Sequence, residues 1–263
     1  MEFDFVIVGA GAAGCVLANR LSGLPKAPSV CLIERGPSHT DSRWSVAMAG
    51  GFSYNQNYDN QRDLWLRYYS EPEMELNGRR IDSPRGTGWG GSSVVNYQMF
   101  IRGQSQDFDR WARQEFTELW AYEDCLPYFK CLESSTPAFD QSNTIDAEAE
   151  AECIKCQSKY RGTNGPVKVT SGRAQYRLYS KCPFSPAFIK AAVQAGYKNN
   201  CNKATQEGVG WMDSKVTDGI RQSASRCYLL PELSRKSSMS FPMRLCPELC
   251  CKTNEQSVFN TSI

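Results

Sequence analysis

Four consecutive apolar residues, Phe5-Val6-Ile7-Val8, stand between Asp4 and a run of small residues, Gly9-Ala10-Gly11-Ala12-Ala13-Gly14. A short apolar run that ends on a turn signal predicts a buried-type strand over Asp4–Val8. Val16, Leu17 and Leu21 follow at helical spacing, and a second apolar run, Val30-Cys31-Leu32-Ile33, ends at Glu34. Strand, glycine turn, helix and strand make the start of a βαβ unit. Beyond it the pattern loosens. Residues 36–81 are irregular and rich in aromatics, and read as an extended cover over the preceding unit. Asp107 is expected to cap a helix that presents Phe108, Trp111 and Ala112 to a core. Residues 134–158, with their acidic-alanine run at 146–152, read as a solvated linker. A strand is expected over Pro166–Thr170, a helix over Pro186–Gly196 that stops at its glycine, and a hairpin over Gln206–Thr217. After Arg235 no period persists, and Pro242 and Pro247 exclude a central strand.

The first glycine run changes this picture from fold to chemistry. Its G-x-G-x-x-G spacing follows a predicted strand, opens a predicted helix, and is followed by an acidic residue, Glu34, twenty positions after Gly14. That is the context in which the spacing signals a dinucleotide site. Gly9 makes the tight turn, Gly11 admits a pyrophosphate, and Gly14 lets helix and strand pack closely. The helix N-terminus offers free N–H groups to the phosphates. Glu34 is placed to accept from ribose hydroxyls and to repel a 2′-phosphate. The candidate site therefore comprises Gly9, Ala10, Gly11, Ala12, Ala13, Gly14, Glu34 and Arg35.

A second cluster, Pro84 to Gly103, holds Gly86, Gly88, Gly90 and Gly91 within six positions, followed by Ser92, Ser93 and Asn96. Such a run cannot be the interior of a helix or central strand, and it brings bare backbone against something flat or anionic. Trp89, Val94-Val95 and Met99-Phe100-Ile101 are expected to be buried beneath a ligand.

Composition narrows the function. The 263 residues carry a net charge of +2 with dispersed Lys and Arg, which gives no footprint for nucleic acid. No apolar stretch is long enough to span a bilayer, and no charged leader precedes the first strand, so an intracellular protein is expected. The twelve cysteines are scattered, only Cys153 and Cys156 have a ligand-like spacing, and the single histidine is His39. No metal site is expected, and the cysteines read as reduced thiols.

Together, "GAGAAG…IERG" and "GTGWGGSSVVNYQMFIRG" resemble the glucose–methanol–choline (GMC) family of flavoprotein oxidoreductases. The collinear segments "DFDRWA" (107–112), "YEDCLPYF" (122–129), "YRGTNGPVKV" (160–169), "FIKAAVQAGY" (188–197), "QEGVGWMD" (206–213) and "GIRQSASRCYLLPELSR" (219–235) extend the likeness over residues 3–235. The resemblance implies an α/β, doubly wound, Rossmann-like FAD-binding domain with part of an α+β substrate domain, apparently truncated. It implies an FAD-binding domain over 1–105, an incomplete substrate-domain region over 106–235 and a divergent tail over 236–263. FAD would be held by the first site together with Gly88, Gly90, Gly91, Ser92, Ser93, Asn96, Tyr97, Gln98 and Met99. Residues 36–81 would form a lid over it. Many relatives have a small pair where this chain has Tyr97-Gln98.

The activity implied is oxidation of a small primary alcohol, choline-like, to its aldehyde, in a mitochondrial or otherwise cytoplasmic setting. Such oxidation needs a base for the hydroxyl proton. The family takes it from a C-terminal histidine, and His39 stands near the adenosine end of the site, so no catalytic residue is assigned in this chain. The rival reading is a catalytically inactive, flavin-binding fragment or an interaction protein. A nicotinamide enzyme is disfavoured by residues 84–103.

Overall fold

The computed structural model describes residues 2–25, 28–38, 64–114, 118–136, 159–171, 183–200, 204–233 and 244–245. Along the chain these form β1 (Phe5–Val8), α1 (Ala12–Ser22), β2 (Val30–Ile33), β3 (Trp65–Leu66) and β4 (Arg85–Gly86). They continue with α2 (Ser105–Gln114), α3 (Tyr122–Leu132), β5 (Glu133–Thr136), β6 (Val167–Thr170) and α4 (Phe184–Gln194). A hairpin, β7 (Val216–Thr217) and β8 (Ile220–Arg221), precedes a π-helical turn at Ser225–Leu229, α5 (Leu230–Leu233) and β9 (Arg244–Leu245). The chain divides into two units, residues 1–97 with 223–263, and residues 98–222.

In the first unit β1, β2 and β9 form one sheet in that order, with both pairings parallel. Among the described residues the two-residue β9 pairs only with β2, at the edge of the sheet, while Pro242 and Pro247 lie outside the described residues. β2 is buried throughout its first three residues, whereas β1 is not the buried strand that its apolar run predicts. Only Ile7 is buried, and Val8 is 80 % exposed. At the start of β1 the backbone N–H and hydroxyl of Ser29 both donate to Asp4 Oδ2 at 2.7 Å, clamping the two strands together.

α1 also turns a different face inward from the one its large apolar residues suggest. Gly14, Cys15, Ala18 and Ser22 are buried, while Leu17 is about half exposed. The reason is distance. A Cβ on Gly14 would stand 1.9 Å from the Gly9 carbonyl oxygen, so only small side chains fit between helix and sheet. The helix is tied to the end of the unit by Asn19, whose amide donates to the Tyr228 carbonyl at 2.9 Å and to Glu232 Oε1 at 2.7 Å.

Of the expected cover, residues 39–63, His39 among them, lie outside the described residues. From Leu64 to Gly86 the chain makes a two-stranded antiparallel arm through β3, β4 and the bridges Tyr69–Asp82 and Glu73–Arg79.

In the second unit Asp107 lies inside the first turn of α2, which starts at Ser105, and so is not the cap. Phe108 packs edge-on to Trp111 and Phe129, at 5.4 Å between ring centroids in each case, yet Trp111 remains 45 % exposed. The expected linker begins later than its composition suggests, because residues 134–136 belong to β5, paired in parallel with β6. Residues 137–158, with Cys153 and Cys156, lie outside the described residues. α4 starts at Phe184 and stops before Gly196, whose φ is +93°. The hairpin is also displaced from Gln206–Thr217. It is built from β7 and β8 around Asp218-Gly219, both at positive φ, the two-residue turn that an Asp-Gly pair favours.

The second unit is centred on buried charge. Glu133, fully buried, meets Arg102 at 2.7 Å and Arg161 at 3.2 Å through Oε1, and Arg161 also reaches Asp213 at 3.1 Å. The Gly162 N–H donates to the same Glu133 oxygen at 2.8 Å. Burial pushes the Glu133 carboxyl up, against the pull of the two guanidinium groups.

Candidate functional site

The sheet ends in the glycine turn because Gly9 adopts φ +94°, a conformation open to a residue without a side chain. The Gly9 N–H donates to the Ile33 carbonyl at 2.7 Å, which holds the turn against the end of β2. Gly11 is the N-cap of α1, with no side-chain cap and no acidic residue in the first turn. The N–H groups of Ala12, Ala13 and Gly14 accordingly have no carbonyl partner within the helix. Ala12 and Ala13 are exposed, and a Cβ built on Gly11 meets nothing within 4 Å. The space that a side chain at Gly11 would fill is open, and the positive end of α1 faces it.

Glu34 is held close to this turn. Its Oε2 accepts the Ala10 N–H at 2.7 Å and its Oε1 accepts the Gly36 N–H at 2.8 Å. Each carboxylate oxygen retains a second lone pair for a ribose hydroxyl. Arg35 beside it is exposed.

The second glycine cluster reaches the same place. The Gly90 N–H donates to the Ala10 carbonyl at 2.7 Å, and a Cβ on Gly91 would lie 2.9 Å from Gly11 Cα. Gly88, Gly90 and Gly91 all have positive φ, which curls the loop tightly before the 3-10 turn Gly91–Val94. Gly88 also runs against Gly36, where a Cβ would stand 2.3 Å from the Gly88 nitrogen. The Ser93 hydroxyl donates to the Gly90 carbonyl at 2.6 Å and accepts the Ala224 N–H at 2.9 Å. Ser92 Oγ accepts the Gly86 N–H at 3.1 Å. Two glycine-rich loops nearly eighty residues apart in sequence thus form one backbone-lined surface.

Not every expected residue shares that environment. Val94 and Val95 are buried, with Leu64 and Trp65 packed against them. Asn96 and Tyr97 are exposed. Gln98 and Met99 begin the second unit, Gln98 fully buried at φ +60° and Met99 half exposed. Met99 and Ile101 are not buried as their apolar character predicts, because residues 98–102 alternate. Gln98 and Arg102 point inward, with Arg102 committed to Glu133.

Residues missed from sequence are Ala224 and Ser225, which support the second loop from the far end of the chain. Ser225 Oγ lies 2.9 Å from where a Gly90 Cβ would be. Their only signal is the segment 219–235, which carries no glycine fingerprint of its own. An open cavity of about 440 Å³ in the second unit, lined in part by Val193, Tyr197, Asn200 and Glu207, includes none of the expected site residues. The described residues hold no cluster of metal-ligating side chains and no helix long and apolar enough to cross a membrane.

A parallel βαβ start whose glycine turn is braced by a second glycine loop is an α/β architecture shared with flavoenzymes. An FAD-dependent oxidoreductase from Chaetomium thermophilum, 27 % identical, superimposes over 94 % of this chain and 38 % of its own, with a TM-score of 0.73. The pyridoxine 4-oxidase of Mesorbium loti, at 24 % identity and a TM-score of 0.69, has the same fold over 91 % of this chain and 42 % of its own. The GMC oxidoreductase family model matches residues 3–243, and the chain belongs to that family. Human mitochondrial choline dehydrogenase is 38 % identical over 241 residues, which cover 89 % of this chain and 36 % of the relative. The oxygen-dependent choline dehydrogenase of Staphylococcus xylosus is 36 % identical over 90 % of this chain and 38 % of its own length. The chain thus spans little more than a third of the curated relatives it matches.

Proposed function

We propose that this chain is the FAD-binding, N-terminal part of an alcohol-oxidising flavoenzyme whose substrate is choline or a similar small primary alcohol. The observation that carries the reading is the contact of the two glycine loops at the bare N-terminus of α1. The residues fit the cofactor. Ala12, Ala13 and Gly14 would offer their N–H groups to the pyrophosphate across the open space at Gly11, and Glu34 would take the ribose hydroxyls. Gly88, Gly90, Gly91, Ser92 and Ser93, with the Asn96–Met99 segment, would line the flavin portion. When bound, FAD supplies the hydride acceptor for oxidation of the alcohol carbon.

The finer organisation belongs to the same proposal. Residues 1–105 form the start of a doubly wound cofactor domain, 106–235 an incomplete substrate-domain region, and 236–263 a divergent tail. The hydroxyl proton needs a base that we assign to no residue of this chain. The name of the human relative, a mitochondrial enzyme, supports a mitochondrial setting, with a cytoplasmic one as the alternative.

Calorimetric titration of the full chain with FAD, NAD and NADP tests the cofactor. FAD is expected to bind tightest, with binding weakened by Glu34→Ala and removed by Gly11→Val. Tightest binding of NADP would overturn the proposal.

A further inference from the structure

We propose that Asn77-Gly78, at the tip of the arm between Leu64 and Gly86, is a self-modifying site, where the asparagine loses its amide nitrogen and becomes aspartate or isoaspartate. The inference goes beyond the cofactor reading and does not depend on it.

The sequence holds two Asn-Gly pairs, Asn77-Gly78 and Asn164-Gly165. Glycine after asparagine favours this chemistry, because the attacking nitrogen has no neighbouring Cβ to shield or stiffen it. The Gly78 nitrogen attacks Asn77 Cγ, so that an N–Cγ bond forms and the Cγ–Nδ2 bond breaks. The side-chain nitrogen leaves as ammonia, taking the proton given up by the Gly78 N–H. Water then opens the cyclic imide at either carbonyl and restores the N–H. One opening gives aspartate, and the other gives isoaspartate, with the main chain rerouted through Cγ. Nothing is oxidised or reduced, and water is the only co-reactant.

The two pairs share this chemistry and differ in what holds the glycine nitrogen. Asn77 and Gly78 are both exposed and both at positive φ, 58° and 70°. The Gly78 N–H donates to the Glu73 carbonyl at 3.0 Å, the Asn77 N–H to the Met74 carbonyl at 3.1 Å, and the Arg79 N–H to the Leu76 carbonyl at 3.3 Å. All these bonds lie within residues 73–79, so opening the tip alone releases the nitrogen. A Cβ built on Gly78 meets nothing within 4 Å, which leaves room for the ring to close. Asn164 is exposed too, but the Gly165 N–H donates at 2.8 Å to the carbonyl of Glu133, the residue at the centre of the buried charge. A Cβ on Gly165 would stand 2.3 Å from the Glu133 nitrogen, and Ser134 Oγ donates to the adjoining Thr163 carbonyl at 2.8 Å. Freeing that nitrogen means parting the loop from the start of β5. The arm tip therefore reacts first. Isoaspartate there adds a carbon to the main chain inside the Glu73–Arg79 bridge and breaks its register.

The test is incubation of the full chain in mildly alkaline buffer, with peptide mass spectrometry following amide-to-acid conversion at both asparagines. Asn77 is expected to convert at least about tenfold faster than Asn164, the ratio that a modest difference in local opening free energy produces. In urea the two rates should converge, because the fold no longer separates them. Glu133→Ala should speed conversion at Asn164 and leave Asn77 unchanged. Similar rates in the folded chain, faster conversion at Asn164, or no conversion at Asn77 would overturn the proposal. A ratio that persists unchanged in urea would overturn it equally.

Discussion

Two glycines three residues apart in one turn have opposite tasks. At Gly14 an added methyl group collides with the Gly9 backbone at 1.9 Å, whereas at Gly11 it enters open space. Gly14→Ala should therefore lower stability by about 1–3 kcal/mol through forced separation of helix and strand. Gly11→Val should cost only about 0.5–1 kcal/mol as a poorer N-cap, while removing cofactor binding. Chemical denaturation read beside FAD titration separates the two. Cys15, next to this turn, is fully buried and its thiol donates to the Ala10 carbonyl at 3.2 Å. Burial pushes its pKa from 9.0 up to about 11. A raised thiol pKa means that the folded form keeps its proton where the unfolded chain loses it. The stability this contributes is complete below about pH 9 and falls as pH rises to about 11. Cys15→Ala should flatten that alkaline decline, which unfolding midpoints from pH 8 to 11 would detect.

At the scale of elements, the second unit depends on a charge node that no single segment contains. Arg102 follows the second glycine cluster, Glu133 begins β5, Arg161 precedes β6, and Asp213 lies before the hairpin. Among the described residues, removing the central carboxylate would leave two buried guanidinium groups with one carboxylate, Asp213, paired with Arg161 and none paired with Arg102. Glu133→Ala should lower stability by about 3–5 kcal/mol. Glu71→Ala, which breaks a solvent-exposed pair with Arg80, should cost less than about 0.5 kcal/mol. Equal losses in urea titrations of the two variants would show that the node is not what holds these elements. Asp4 makes a different claim about β1 and β2. The hydrogen bonds from Ser29 hold its carboxyl below the usual range. The clamp is present above the ordinary aspartate pKa and is released as pH falls through the lowered value.

At the scale of the molecule, the first unit is closed by contacts across more than two hundred residues, Asn19 to Tyr228 and Glu232. The proposed cofactor surface therefore requires both ends of residues 3–233, and fragments ending before Ser223 should not retain it. Catalysis is a separate requirement. The chain has one histidine, His39, at the end of the sequence assigned to the adenosine side. Turnover of choline by the purified chain, with FAD and an artificial electron acceptor, is expected to fall short of an intact enzyme by about 10²–10⁴-fold or more, the usual cost of a missing base. Full activity that disappears in His39→Ala would reverse that assignment.

The βαβ start, its turn and the family were legible from residues alone because local rules govern them. A glycine at positive φ, a strand ending at Glu34 and a helix N-cap are settled within a few positions of the chain. The Asp218-Gly219 hairpin turn was equally local and could have been read from its dipeptide. What periodicity could not supply was which apolar residues become buried. Val6, Val8, Leu17, Met99 and Ile101 look like core and are exposed, while Cys15, Ser22, Arg102 and Glu133 look neutral or polar and are interior. Burial is a property of neighbours, and here the neighbours come from far along the chain. The tertiary structure decided that α1 lies too close to the sheet for leucine. It brought Gly90 onto Ala10 and Ser225 onto Gly90, and it assembled the charge of Glu133 from four separate segments.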